Sequence, residues 1–250
     1  MKQLLTAFNL MTALPLPVRK DWQTGDSGRA SLWYPFVGLV VGGLTWLTWM
    51  GAIRLFPTLV AGSLTLLLWV GLTGGLHLDG LADCCDGLLA SASVGRRLEI
   101  MKDSRLGAFG GIGLMLTLLL KAAILSALTP ETSLGILLAA SFARWWILPA
   151  GLLPLARRSG KVPNAPIGMG ADFKAGFRPW FIAVGAVIPL ALSILLGARG
   201  LLSLAFGSLA AVLVLRLANS RIGGVTGDVF GMTVEVVEAA SLLAFVMRNT

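Results

Sequence analysis

Charge is scarce in this sequence. Only 13% of its 250 residues are Asp, Glu, Lys or Arg, roughly half the share of an ordinary soluble domain. With 56% hydrophobic residues, no globular core would hide so much apolar sequence, and a soluble fold is excluded. Cysteine is nearly absent: Cys84 and Cys85 stand side by side. Neighbouring side chains diverge on a helix, so the pair forms no structural disulfide, and it lacks the spacing of a zinc site. Histidine occurs once, as His77. Glycine is plentiful at 31 residues, but it shows no G-X-Y period, which excludes collagen. No internal repeat, low-complexity tract or linker divides the chain, so one membrane-embedded domain is expected over 1–250. The N-terminus does not read as a signal peptide. Gln3, Thr6 and Asn9 interrupt its apolar stretch, and no small-residue cleavage site follows.

What remains is apolar runs. A helix needs ~20 mostly apolar residues to cross the hydrocarbon core. Seven stretches qualify: 33–56, 58–76, 106–128, 133–155, 180–197, 201–217 and 229–247. Leu4, Leu5, Phe8 and Met11 recur near helical spacing before Leu14-Pro15, which predicts an amphipathic helix lying at the interface. The expected fold is all-α and polytopic, with about seven transmembrane helices and this N-terminal interfacial helix.

The net charge of +8 suggests nucleic acid first. The basic residues, however, fall between the apolar runs and not along one face, so they read as topology signals and no nucleic-acid partner is expected. With the N-terminus inside, fifteen of the 20 Lys and Arg fall on that side, and only Arg54, Arg199 and Arg248 fall outside. This positive-inside bias predicts that loops 77–105, 156–178 and 218–228 share the cytoplasmic side.

The loop at 77–105 holds five of the 12 acids. On a helix, Asp79, Asp83 and Asp86 fall at i, i+4 and i+7 and share one face. Carboxylates so close repel unless a cation offsets them, and oxygen-only ligands favour Mg²⁺ or Mn²⁺ over zinc. Such sites commonly hold a pyrophosphate through the metal. His77, two positions before Asp79, is a candidate proton acceptor, as is Asp86. Next come Lys102, Asp103, Ser104 and Arg105, whose charges and hydroxyl suit a phosphate clamp or a positive-inside anchor. A third cluster joins Thr226 and Asp228 to Glu235 and Glu238 within the last span. Acids at that depth line a polar cavity or pair with Lys121 or Arg144. The loop at 156–178, with Pro163, Pro166, Gly168 and Gly170, is a candidate wall for a substrate.

The segment Gly74-Gly75-Leu76-His77-Leu78-Asp79-Gly80-Leu81-Ala82-Asp83-Cys84-Cys85-Asp86-Gly87 resembles the signature of the cobalamin synthase family, the adenosylcobinamide-GDP ribazoletransferases. Met101-Lys102-Asp103-Ser104-Arg105-Leu106-Gly107 resembles a second block, and Gly224-Val225-Thr226-Gly227-Asp228 with Glu235 and Glu238 a C-terminal one. Phe36-Val37-Gly38 and the Leu14-Pro15 turn fit as well. The resemblance implies a multi-pass enzyme of a bacterial or archaeal cytoplasmic membrane, its site on the cytoplasmic side and Mg²⁺ as cofactor. Its implied substrates are adenosylcobinamide-GDP and α-ribazole or α-ribazole 5′-phosphate; its products are adenosylcobalamin or its 5′-phosphate and GMP. Implied roles are metal binding for Asp79, Asp83, Asp86, Asp228 and Glu235, and phosphate or nucleotide binding for Lys102, Asp103, Ser104, Arg105 and Thr226. The bilayer is a partner, and a second copy or other cobalamin-assembly enzymes are candidate ones. One departure stands out: where the family often has Thr-Arg-Leu/Ile-Pro, this chain reads Thr12-Ala13-Leu14-Pro15, with Arg19 or Lys20 as candidate replacements for the Arg. A lipid-synthesis CDP-alcohol phosphotransferase is the nearest rival. Its pattern fails here, because Asp83 stands where Arg would be and the later Gly-x-x-x-Asp-x-x-x-Asp is missing. A cation or solute transporter is the non-enzyme alternative, but paired broken helices in inverted repeat are not evident.

Overall fold

The computed structural model describes residues 2–17, 21–156 and 169–248. Arg19, Lys20, Pro163, Pro166 and Gly168 lie outside the described residues. The order is α1 (Lys2–Met11), α2 (Asp26–Ala30), α3 (Tyr34–Leu55), α4 (Thr58–Thr73), α5 (Leu76–Leu89), α6 (Val94–Ile100), α7 (Ala108–Ala127), α8 (Gly135–Trp145), α9 (Ile147–Ala150), α10 (Met169–Gly176), α11 (Trp180–Gly185), α12 (Val187–Leu195), α13 (Gly197–Ile222) and α14 (Gly227–Val246). No strand occurs among the described residues.

Every apolar run of the sequence is helical, but the seven unbroken spans are not all there. Four helices, Asp26–Leu55, Ala108–Ala127, Gly197–Ile222 and Gly227–Val246, are long and apolar enough to cross a membrane. Counting the bent pairs α4–α5 and α10–α12 as one span each raises the number to six. The segment Gly135–Ala150, where a span over 133–155 is expected, is apolar but shorter. Leu55, Leu67, Leu119 and Ile194 are exposed on the outer surface, an apolar belt that suits lipid and not water. The protein is a multi-pass membrane protein.

Helix α14 sits in the middle, packed against α13, α5, α8 and α7. Helix α3 packs on α8 and α4, and α4 on α7. The interior is tied by indole donors: Trp49 Nε1 donates to the Leu125 carbonyl at 2.9 Å and Trp46 Nε1 to Ser133 Oγ at 3.0 Å. The N-terminal helix of the sequence reading forms as α1. It buries Thr6, Ala7 and Met11 and packs against α2 and α3.

Gly74 and Gly75 carry the bend that matters most. Their φ angles of +61° and +71° lie in the left-handed region that glycine enters without a Cβ penalty. Two such residues in succession end α4 and start α5 at 90° to it. Helix α5 therefore turns away from α4 and packs against α7 and α14.

Candidate active site

Helix α5 crosses α14 at glycine. A Cβ on Gly80 would stand 2.8 Å from the Asp228 carbonyl oxygen and 3.0 Å from its Cα, so only glycine lets the helices approach this closely. The crossing brings Asp79 and Asp83 of α5 towards Asp228 at the start of α14. Thr226 caps that helix through its side chain, accepting from the Val229 amide at 3.3 Å, and donates to Asp228 Oδ2 at 3.2 Å. Asp79 and Asp83 accept no hydrogen bond and join no ion pair among the described residues. Partial burial and the charges of Asp228, Asp79 and Asp86 push the Asp83 carboxyl up to about 6. These unpaired carboxylates have the oxygen chemistry of a hard divalent cation site. No group of three His, Cys, Asp or Glu among the described residues is arranged to enclose a metal ion unaided.

Two residues of the sequence reading are engaged elsewhere. Asp86 shares the face of Asp79 and Asp83, but its oxygens accept from the Gly107 amide at 2.8 Å and the Gly110 amide at 2.9 Å. Its charge caps α7 and complements the positive end of that helix, a role beside the proton-acceptor or metal-ligand one expected from the sequence. Glu235 is buried in α14 and paired with Lys121 Nζ at 2.7 Å. Glu238 joins the same Lys121 at 2.5 Å and Arg144 Nη1 at 2.8 Å, while Lys121 also lies 4.8 Å from the Trp69 ring centroid. Two cations and two carboxylates close into a neutral cluster, and Glu235 is a member of it and not of the aspartate group.

Asp79 and Asp228, but not Asp83, border the hollows beside this crossing. One, of about 220 Å³, is lined by Asp79, Asp228 and His77 with Tyr34, Phe173 and Phe230. The other, of about 430 Å³, is lined by Lys102, Thr226 and Asp228 with Met101 and Leu155. Gly170, Gly227 and Asp228 border both, so they form one site with two compartments. His77 is 3% exposed and its Nε2 has no hydrogen-bond partner. Burial, with the positive charges of Arg144 and Lys121, lowers its pKa well below the ordinary imidazole value, so the ring is neutral. Arg105 turns to Asp103, with Nη2 at 2.6 Å and Nε at 2.9 Å; this pair holds Asp103 down at about 2. Ser104 and Arg105 are exposed and line neither hollow.

The loop at 156–178, a candidate wall in the sequence, supplies Gly170 and Phe173 to the cavity; what sequence reasoning missed is the clasp that holds them. Asp172 is buried and accepts from the Gly25 amide at 2.6 Å, the Ser27 amide at 3.0 Å and Ser27 Oγ at 2.5 Å. This clasp seats α10 on α2 and so places Phe173 and Gly170 against the cavity. Nothing local marks it, because the partners are 145 and 147 residues apart. The departure at Ala13 lies beside the α4–α5 bend. Its amide donates to the Leu72 carbonyl at 2.8 Å, and its Cβ lies 2.8 Å from where a Cβ on Gly74 would stand.

Residues 3–246 match the family described as cobalamin-5-phosphate synthase. A protein of Desulfitobacterium hafniense named adenosylcobinamide-GDP ribazoletransferase is 33% identical, with 97% of this chain and 96% of the relative covered. Proteins with the same name from Thermosynechococcus vestitus and Clostridium botulinum are 39% and 33% identical, covering 94% and 99% of this chain and 92% and 100% of their own lengths. No solved structure matches the chain. With nearly every residue matched and the aspartate helix, the Lys102 hollow and the Thr226 cap meeting at one place, this chain belongs to the cobalamin-5-phosphate synthase family.

Proposed function

We propose that the protein transfers the cobinamide-phosphate part of adenosylcobinamide-GDP to α-ribazole or α-ribazole 5′-phosphate, giving adenosylcobalamin or its 5′-phosphate and GMP. Support comes from the relatives' printed name and, in the structure, from one observation: Asp79 of α5, which joins no hydrogen bond or ion pair among the described residues, lines the same hollow as Asp228, and Asp228 also borders the second. A pyrophosphate substrate needs such a place, where its own charge and that of the acids are offset together.

Asp79 and Asp228, which line the same hollow, would hold Mg²⁺ together with water and substrate phosphate; when bound the ion supplies positive charge to the pyrophosphate oxygens. A ribose hydroxyl of α-ribazole attacks the phosphorus that bears the cobinamide arm. The new P–O bond forms as the bond to the bridging oxygen breaks, and GMP leaves carrying that oxygen. Asp83, one turn along α5 from Asp79, takes the hydroxyl proton. Lys102 and Thr226, in the second hollow, bind the phosphate of the departing nucleotide. The positive-inside bias supports a cytoplasmic-membrane location with this site on the cytoplasmic face.

The test is GMP release by the purified protein in lipid nanodiscs, given adenosylcobinamide-GDP, α-ribazole and Mg²⁺. Asp79→Ala and Asp83→Ala are each expected to lower turnover by roughly 10²–10⁴ in protein that inserts and folds normally. Rates near those of the parent protein in both variants would overturn the assignment.

A further inference from the structure

The cavity of about 220 Å³ is unlike the site it adjoins. Its acids, Asp79 and Asp228, are at one end. Its walls are aromatic and aliphatic: Phe173 and Phe230 stand with ring centroids 5.3 Å apart at 52°, and Tyr34 and Ile147 are almost wholly buried. Two hydroxyls lie there, and both are occupied. Tyr34 Oη donates to the Ser27 carbonyl at 3.2 Å, and Ser27 Oγ donates to Asp172 at 2.5 Å. Apart from those acids, the imidazole of His77, a lining residue with no hydrogen bond among the described residues, is the side-chain polar group left over.

We infer that this cavity receives the heterocycle of the nucleoside acceptor, packed against the tilted rings of Phe173 and Phe230, with the His77 imidazole donating to its single free ring nitrogen. The inference rests on the function proposed above and adds which substrate enters which compartment. Three chemical matches carry it. A flat bicyclic base fits this volume, and a corrin macrocycle does not. The base of α-ribazole is a benzimidazole: one nitrogen is bonded to ribose, the other has a lone pair, and the rest is apolar. One acceptor then meets one unpartnered donor. Guanine, the other base of the reaction, carries several donors and acceptors along one edge. In an apolar cavity most would stay unpaired, each costing about 1–3 kcal/mol. With the benzimidazole inside, the ribose is left at the mouth beside Asp79 and Asp228, where its hydroxyl must react. The guanosine nucleotide is left to the hollow with Lys102. His77 then reads the base and does not carry the reacting proton, and Phe173 and Phe230 determine specificity.

Steady-state kinetics in nanodiscs test this with two acceptors, α-ribazole and an α-riboside of a phenol, which has no ring nitrogen. Phe230→Ala should raise KM for α-ribazole by about tenfold or more, leave kcat within about threefold and leave KM for adenosylcobinamide-GDP unchanged. His77→Leu should weaken α-ribazole by about tenfold and leave the phenolic acceptor as it was. Direct binding of labelled α-ribazole by equilibrium dialysis, without the second substrate, should show the same order. Phe230→Leu serves if the alanine variant does not insert. A rise in KM for adenosylcobinamide-GDP in the Phe230 variants would place the other substrate in the cavity and overturn the inference. So would a fall in kcat for both acceptors in His77→Leu that recovers at higher pH, which would make His77 the proton acceptor. If the parent protein releases no GMP with either acceptor, the proposed function itself fails, which the dialysis result separates from a misplaced base.

Discussion

At the residue scale, Asp83 works against the fold that holds it. A carboxyl raised to about 6 from an ordinary value near 3.9 prefers its protonated form in the folded state. Its destabilising effect is therefore absent below about pH 4, grows as pH rises and is complete above about pH 6. Asp83→Asn is expected to raise the melting temperature in detergent by ~2 °C at pH 8 and to leave it unchanged at pH 4, while turnover is lost. Equal shifts at both pH values would show that the charge is not the cause. Asp86 predicts the opposite pattern. Removing the cap of α7 should destabilise by about 1 kcal/mol, or ~3 °C, with α-ribazole binding intact. An Asp86→Ala protein as stable as its parent but inactive would return Asp86 to the chemistry. The sequence shows Asp79 and Asp83 as a pair because helical period alone aligns them. It cannot show that Asp86, on the same face, is engaged, because the amides it caps lie 21 and 24 residues away.

At the scale of elements, α14 is organised around a buried ionic cluster shared with α7 and α8. Lys121 comes from α7, Arg144 from α8, and Glu235 and Glu238 from α14. Each charge is costly in an apolar interior unless paired, so the cluster fixes how these helices sit against one another and beneath His77. Lys121→Met leaves two carboxylates facing Arg144 alone and should destabilise by about 3–5 kcal/mol. Adding Glu235→Gln restores one positive to one negative charge and should recover much of that loss. Thermal melts of the single and double variants decide it, and additive losses would mean the pair is not coupled. Sequence reading offered both choices for Glu235, a cavity or a partner among Lys121 and Arg144. Depth in a span tells that a charge needs a partner, but which partner depends on helix adjacency. The same limit applies to 133–155. Its composition is that of a span, yet the helical segment Gly135–Ala150 is too short for one.

At the scale of the whole molecule, the site depends on several turns meeting at one face. Lys102, which follows α6, and Thr226, which starts α14, line the same hollow, and Arg97 of α6 donates to the Arg221 carbonyl at 3.2 Å near the end of α13. Loops 77–105 and 218–228 therefore lie together. The turn between α3 and α4, with Arg54, is at the far end of α4 from the Gly74–Gly75 bend and so on the opposite face. From the charge asymmetry of the loops we propose that the crowded face is the cytoplasmic one, where nucleotide substrates would be available. Single cysteines test that assignment with little background, because Cys84 and Cys85 are free but buried. Arg96→Cys should react with a membrane-impermeant maleimide only after the cells are opened, and Arg54→Cys in intact cells. The reverse pattern would put the carboxylates on the outer face. It would remove the cytoplasmic supply of nucleotide on which the proposed reaction depends.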